Sequence, residues 1–113
     1  MSIERLRKTC IKAAKNRSVL TYTDIAPLLG LSMIEPDDRA KIGEYLDQLA
    51  SAEHAAGRPL LSVVVVGASG GTPGHGFFKL ARALGLMDAK TNKKAFCWDE
   101  LQRLYAYWAT HEG

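Results

Sequence analysis

The chain holds little that could carry covalent chemistry. It has two cysteines, Cys10 and Cys97, and three histidines, His54, His75 and His111. No two of these stand at metal-ligand spacing, which excludes a zinc-binding pattern. Two isolated thiols build no disulfide framework and suit a reducing compartment, where cysteine packs as a small apolar residue. Long apolar runs are also missing. The longest, Leu60 to Val66, covers seven residues, against the roughly 18 needed to span a membrane. The opening Met1-Ser-Ile-Glu-Arg-Leu-Arg-Lys8 lacks a signal peptide's apolar stretch and cleavage site. The expected location is the cytoplasm, with no membrane partner.

What is present describes an ordinary globular chain of 113 residues, 47% hydrophobic and 24% charged. That length makes one domain with a core of its own. Ile3, Leu6, Cys10 and Ala13 or Ala14 recur at helical spacing behind Ser2, a capping residue type. Ser18 to Tyr22 is a connector with extended character. Thr21 or Thr23 then caps a short helix that Gly30 ends, with Pro27 placed near its start. Pro36 suits a first helical turn, and Asp37 and Asp38 suit the positive end of the helix dipole. Ile42, Leu46 and Leu49 mark that helix's apolar face, and Gly57 stops it. Leu60 to Val66 is β-branched and unalternating, which predicts a central strand with both faces buried. Phe77, Phe78, Leu80, Ala81 and Leu84 predict a further helix closed by Gly85. Met87 to Lys94 reads as a polar loop. Asp99 is the expected cap of a last helix bearing Leu101, Leu104, Tyr105 and Trp108. The predicted class is α+β: a small single domain, mostly helical, with five helical segments around a short central sheet.

Charge is unevenly laid out. Residues 1–17 balance to +5, residues 18–56 to −5 and residues 57–113 to +3. Fields act over patches, so this layout says more about partners than the net charge does.

The stretch Val63-Val-Val-Val-Gly67-Ala-Ser-Gly-Gly71-Thr-Pro-Gly74 invites comparison with phosphate-binding loops. Its third glycine falls one position late for a dinucleotide fingerprint, with Pro73 in its place, and too little chain follows for a doubly wound sheet. No Lys-Ser/Thr pair closes it as a Walker loop requires. Gly67-Ala-Ser69-Gly-Gly71 spells a nucleophile elbow in letters, yet the chain is far shorter than an α/β-hydrolase. A tight strand-to-helix turn without ligand is the simpler expectation, and no cofactor is expected. His75, between Gly74 and Gly76, is the histidine best placed for a function; otherwise it is a loop residue that caps the next helix.

The order of elements resembles a known module. Tyr22-Thr-Asp-Ile-Ala26, followed by Gly30, resembles the Y-x-x-L-A-x-x-x-G helix of the C-terminal domain of alkylguanine-DNA alkyltransferases. Arg39-Ala-Lys-Ile-Gly43 sits where that family has its A-R-A-V-G recognition helix. Pro59-Leu-Leu-Ser-Val-Val64 sits where it has its P-C-H-R-V-V active-site strand. The resemblance covers residues 18–76 and implies a winged-helix-like core, flanked by a basic N-terminal helix (1–17) and C-terminal helices (77–113). It also implies DNA binding through the minor groove. Leu60 and Leu61 stand at the Cys and His positions, and leucine has neither a nucleophilic atom nor a proton to relay. Alkyl transfer is therefore not implied; binding like that of the alkyltransferase-like proteins, which lack the cysteine, is. The family's arginine position is Ala40 here, with Arg39 offset by one. The block G-R-P-L-L-S-x-V-V…P-G-x-G-F-F…W…Y-W also resembles small stand-alone bacterial proteins of unknown function.

Two binding roles compete, neither enzymatic. In the first, duplex DNA meets Arg5, Lys8, Lys12, Lys15, Tyr22, Arg39, Lys41, Lys90, Lys93 and Lys94. In the second, Asp37, Asp38, Glu44, Asp47 and Glu53 on the acidic helix cover a basic protein such as a toxin or a nucleic-acid enzyme. That would make the chain an immunity protein, antitoxin or adaptor.

Overall fold

The computed structural model describes residues 2–67 and 72–112, apart from the side chain of Ser2, so any capping by that side chain lies outside the described residues. The chain forms helix α1 (Ser2–Lys15), strand β1 (Leu20–Thr21), helix α2 (Tyr22–Ile25) and a 3-10 turn (Ala26–Leu29). Helix α3 (Pro36–Ala55), a second 3-10 turn (Leu61–Val64) and strand β2 (Val65–Val66) follow, and then helices α4 (His75–Ala83) and α5 (Lys93–Thr110). The two strands pair in parallel, Leu20 with Val65 and Thr21 with Val66. The class is α+β and mostly helical, as the apolar spacing predicts.

Local chemistry explains most boundaries. Thr21 caps α2 through a reciprocal box: its hydroxyl accepts the Asp24 N–H, while the Asp24 carboxylate accepts the Thr21 N–H. Such a pair satisfies two of the donors that every helix start leaves open. Gly30 and Gly57 end their helices at φ 69° and 78°, where a side chain would be strained. Pro36 is the first residue of α3, where its missing N–H costs nothing.

Two boundaries differ from the sequence expectation. Leu60 to Val66 is not a strand along its length: Leu61–Val64 coils as a 3-10 turn and only Val65–Val66 pairs. The expected burial on all sides holds, since Leu60, Leu61 and Val64 are completely enclosed. With only Leu20–Thr21 for a partner, the segment finds no ladder for its other polar groups and satisfies part of them within a turn. Helix α5 begins at Lys93, six residues before Asp99, because Asn92 supplies the cap by accepting the Ala95 N–H. Phe96, Cys97 and Trp98 therefore lie inside the helix.

The enclosed segment is clamped by two buried carboxylates. Glu53, 1% exposed, accepts two bonds from the Arg58 guanidinium, both 2.9 Å, and one from Arg7 at 3.2 Å. Glu100, on α5, accepts the backbone N–H of Leu60 at 2.8 Å and pairs with Arg103. Glu53 is thus a packing residue and is removed from the acidic surface it was expected to serve. Burial alone would raise its pKa, but the hydrogen bonds and charges of Arg58 and Arg7 hold the carboxyl below its ordinary value.

Two stability predictions follow from the clamp. A carboxyl held low stabilises the fold above the ordinary glutamate value of 4.5, and that contribution is lost as pH falls through the depressed pKa. The melting temperature should therefore drop steeply below about pH 4.5, and Glu53→Gln should flatten this acid limb. At pH 7 the same substitution should cost roughly 2 kcal/mol, less than a fully enclosed pair, because Arg7 and Arg58 keep 32% and 28% of their side chains in solvent. Val64→Asp should cost more than about 3 kcal/mol by placing an unpaired charge at the centre. A variant melting like the wild type would contradict that burial.

Candidate functional site

The turn at Leu61–Val64 leaves a cavity of about 310 Å³ between α2, α3 and the start of α4. Met33, Ile42, Leu46, Val65 and Phe77 supply apolar wall, and Tyr22, Arg39, Asp47, Ser62 and His75 supply polar groups. An apolar hollow with a few convergent polar groups is the usual form of a ligand site. The three segments that carry the family resemblance each reach it: Tyr22 from α2, Arg39 and Gly43 from α3, and Ser62 from the 3-10 turn.

Tyr22 is fixed by the loop before α4. Its hydroxyl oxygen accepts the Gly74 N–H at 2.9 Å, which leaves its own proton for a third atom. A Cβ on Gly74 would lie 2.6 Å from that oxygen, so the close approach requires glycine. Burial raises the Tyr22 pKa, the Gly74 N–H lowers it and the charge of Asp47 raises it, with a net upward shift. The residue is therefore a neutral phenol at pH 7. Burial also raises Asp47, opposed by Lys79 and reinforced by Glu44. His75 is exposed and forms the first residue of α4. Gly74 holds the cap position without any side-chain cap, so His75 does not cap the helix.

A second hollow of about 330 Å³ opens on the far side of Pro73, which lines both. Its walls are Val63, Val66, Thr72, Leu101, Cys97, Lys94 and Trp98. Trp98 is 64% exposed, and among the described residues only Val19 and Ile34 are other large apolar side chains left so open. Lys93, one residue before Lys94, sits with its ammonium 5.3 Å from the centre of the Phe78 ring.

The cations named from sequence therefore separate into groups. Arg39 and Lys94 flank Pro73 in the two hollows. Arg5, Lys8, Lys12 and Lys15 stand exposed along α1. Lys15 adjoins Trp108 to Glu112 at the far end of α5, roughly 24 Å along that helix from Lys94. Lys41 lies with Glu44, Tyr45 and Gln48 on another face of α3, and Lys90 is exposed in the loop before α5. The acidic set is dispersed as well. Asp38 accepts the Ser32 N–H at 2.9 Å and ties down the loop ahead of α3. Glu53 is buried, whereas Asp37, Glu44 and Asp47 are exposed, Asp47 also lining the first hollow.

The sequence does not mark Trp98 as a site residue, because with Asp99 as the expected cap it falls outside the helix. On a helix begun at Lys93, the spacing of Lys94 and Trp98 would have placed them on one face. The thiols lie apart from this chemistry: burial pushes Cys10 up to about 12 and Cys97 up to about 11. Both stay protonated and poorly nucleophilic at pH 7. The glycine loop's Ala68–Gly71, including Ser69, lies outside the described residues. Among the described residues no three His, Cys, Asp or Glu side chains gather as metal ligands, and no helix is long and apolar enough to cross a membrane. No protein-family model, curated protein or solved structure matches the chain.

The contact between Tyr22 and Gly74 gives a non-additive prediction. Gly74→Ala should displace the phenol, and Tyr22→Phe should leave the Gly74 N–H without its partner, each costing about 1–2 kcal/mol by thermal melting. In the Tyr22→Phe background the alanine should cost distinctly less, since the clashing oxygen is gone. Strict additivity would show that the two do not touch.

Proposed function

We propose that this chain is a nucleic-acid-binding module that engages duplex DNA without transforming it, using the surface on both sides of Pro73. The observation that carries the proposal is the placement of a polar-tipped apolar hollow directly beside a lysine- and tryptophan-lined one. Arg39 and Lys94 offer charge to phosphates on either side, with Lys93 and Lys90 close in sequence. The first hollow suits a planar, weakly polar group, because Tyr22 offers a hydroxyl proton and Arg39 its guanidinium against an apolar wall. A nucleobase turned out of its stack fits that description. The family resemblance supports the same conclusion, since its three motif segments converge here. At the position of the resemblance's nucleophile stands Leu60, fully enclosed and inert.

The acidic face invoked for a protein partner gains less support. Asp38 is tied to the loop ahead of α3 and Glu53 is buried, so only Asp37, Glu44 and Asp47 of that set stay exposed.

Salt dependence tests the proposal. Affinity for duplex DNA should fall with salt at a logarithmic slope of roughly −0.9 per phosphate contacted. The triple variant Arg39→Gln, Lys93→Gln, Lys94→Gln should flatten the slope by about two to three phosphates and weaken binding at least tenfold. Lys8→Gln, Lys12→Gln, Lys15→Gln on α1 should change the slope by less than one. A larger loss from the α1 variant would move the interface to α1. Undetectable binding to any DNA at low salt would overturn the proposal.

A further inference from the structure

We infer that Trp98 and Lys94 form a stacking site for an unpaired nucleobase, so that the module favours nucleic acid carrying an unstacked base over fully paired duplex. The inference rests on the nucleic-acid reading above and supplies its substrate class. Trp98 is held on α5, an 18-residue helix capped by Asn92, and is therefore a rigid platform. Its indole is 64% exposed although the neighbouring Cys97 is buried, so a large apolar face is left to solvent beside a hollow that could cover it. Val63, Val66, Pro73 and Leu101 floor that hollow, and one helical turn before Trp98 stands Lys94. Among the described residues no carboxylate lines the hollow, so they present positive charge and apolar surface together.

That pairing selects its occupant by charge and shape. A base stacks on an indole through its face, while the phosphate attached to it needs a cation a few ångströms away. Lys94, four residues before Trp98 on the same helix, is placed for that role. An apolar side chain of a protein would cover the indole equally well but would gain nothing from Lys94. A fully paired duplex hides its base faces within the stack and can offer only phosphates. Single strands, gaps and mismatches expose the face that Trp98 needs.

Three DNA probes separate the outcomes: a short oligothymidylate, a duplex with a one-nucleotide gap, and a fully paired hairpin whose ends are closed by loops without stackable bases. Trp98→Ala should lower affinity for the first two by roughly 5- to 150-fold and change affinity for the hairpin by less than twofold. Oligothymidylate should quench the tryptophan emission of the wild type. Trp98→Phe should remove that quenching while anisotropy shows the strand still bound, because phenylalanine stacks but Trp108, buried at 2% exposure, cannot report. Lys94→Gln should reduce the single-strand salt slope by about 0.7. Circular dichroism and melting should be unchanged in all three variants, as both residues are exposed. Equal effects of Trp98→Ala on all probes, or none on any, with duplex binding intact would overturn the stacking site alone. A wild type that binds none of the probes at low salt would overturn the nucleic-acid reading with it.

Discussion

Everything in this fold is arranged around a buried backbone that has almost no ladder to join. Leu60 to Val66 passes through the centre, yet only Val65 and Val66 pair with another strand. Pro59 has no N–H to satisfy, but Leu60 has, and its partner is the Glu100 carboxylate 40 residues away. An unpaired buried N–H costs about as much as a lost hydrogen bond. A carboxylate brought in for this purpose must itself be neutralised, and Arg103 does so from the next turn of α5. Glu53 acts just ahead of the same end, where its bonds to Arg58 and Arg7 tie α3 to the chain before Leu60 and to α1. Arg7 also lies 5.6 Å from the centre of the Trp108 ring, which extends the same clamp to α5.

The candidate site is a consequence of that clamp. Because Leu61–Val64 coils instead of extending, the segment is short, and it leaves space between itself, α3 and the start of α4. Tyr22 can reach into that space only because the chain after β2 returns with a glycine at position 74, close enough to bond its hydroxyl. Asp47 and Tyr22 then share a partly desolvated setting in which burial opposes charge on both. A neutral, oriented phenol in an apolar wall, with Arg39 and Asp47 also lining it, distinguishes this hollow from the lysine-lined one beside it.

Much of the fold was legible in the sequence where the signal was local. Thr21 (offered beside Thr23), Pro36, Gly30 and Gly57 mark boundaries through their own backbone chemistry, and the structure uses Thr21 and keeps the other three. Total burial of Leu60 to Val66 was also legible, because a run that lacks polar alternation has no solvent face. Its conformation was not. Burial of β-branched residues fits a strand only if a partner strand exists, and that depends on the two residues Leu20–Thr21 and on nothing within the run itself. The start of α5 was misplaced for a related reason: Asn92 and Asp99 are both good caps, and only the packing of Cys97 against the core decides between them. Of the site residues, Tyr22, Arg39 and His75 were singled out from sequence. Ser62, Asp47 as a pocket residue, and Trp98 were not, because their roles arise from contacts between distant segments.

Folding redistributes the charge blocks along the chain. The segment 18–56 carries a balance of −5, which would repel phosphates if all of it faced solvent. In the folded chain part of this negative charge is engaged, while Asp24, Glu35, Asp37, Glu44 and Asp47 stay exposed. Glu53 is neutralised by two arginines, Asp24 and Asp38 accept backbone N–H groups, and Asp47 faces Lys79. Such acids still contribute to the long-range field. Lys94, which lines the hollow beside Pro73, extends from an exposed position. Under the proposed nucleic-acid reading, a polyanion would meet Lys94 and an open indole on one side of Pro73, and on the other a phenol-tipped hollow that also holds Arg39 and Asp47.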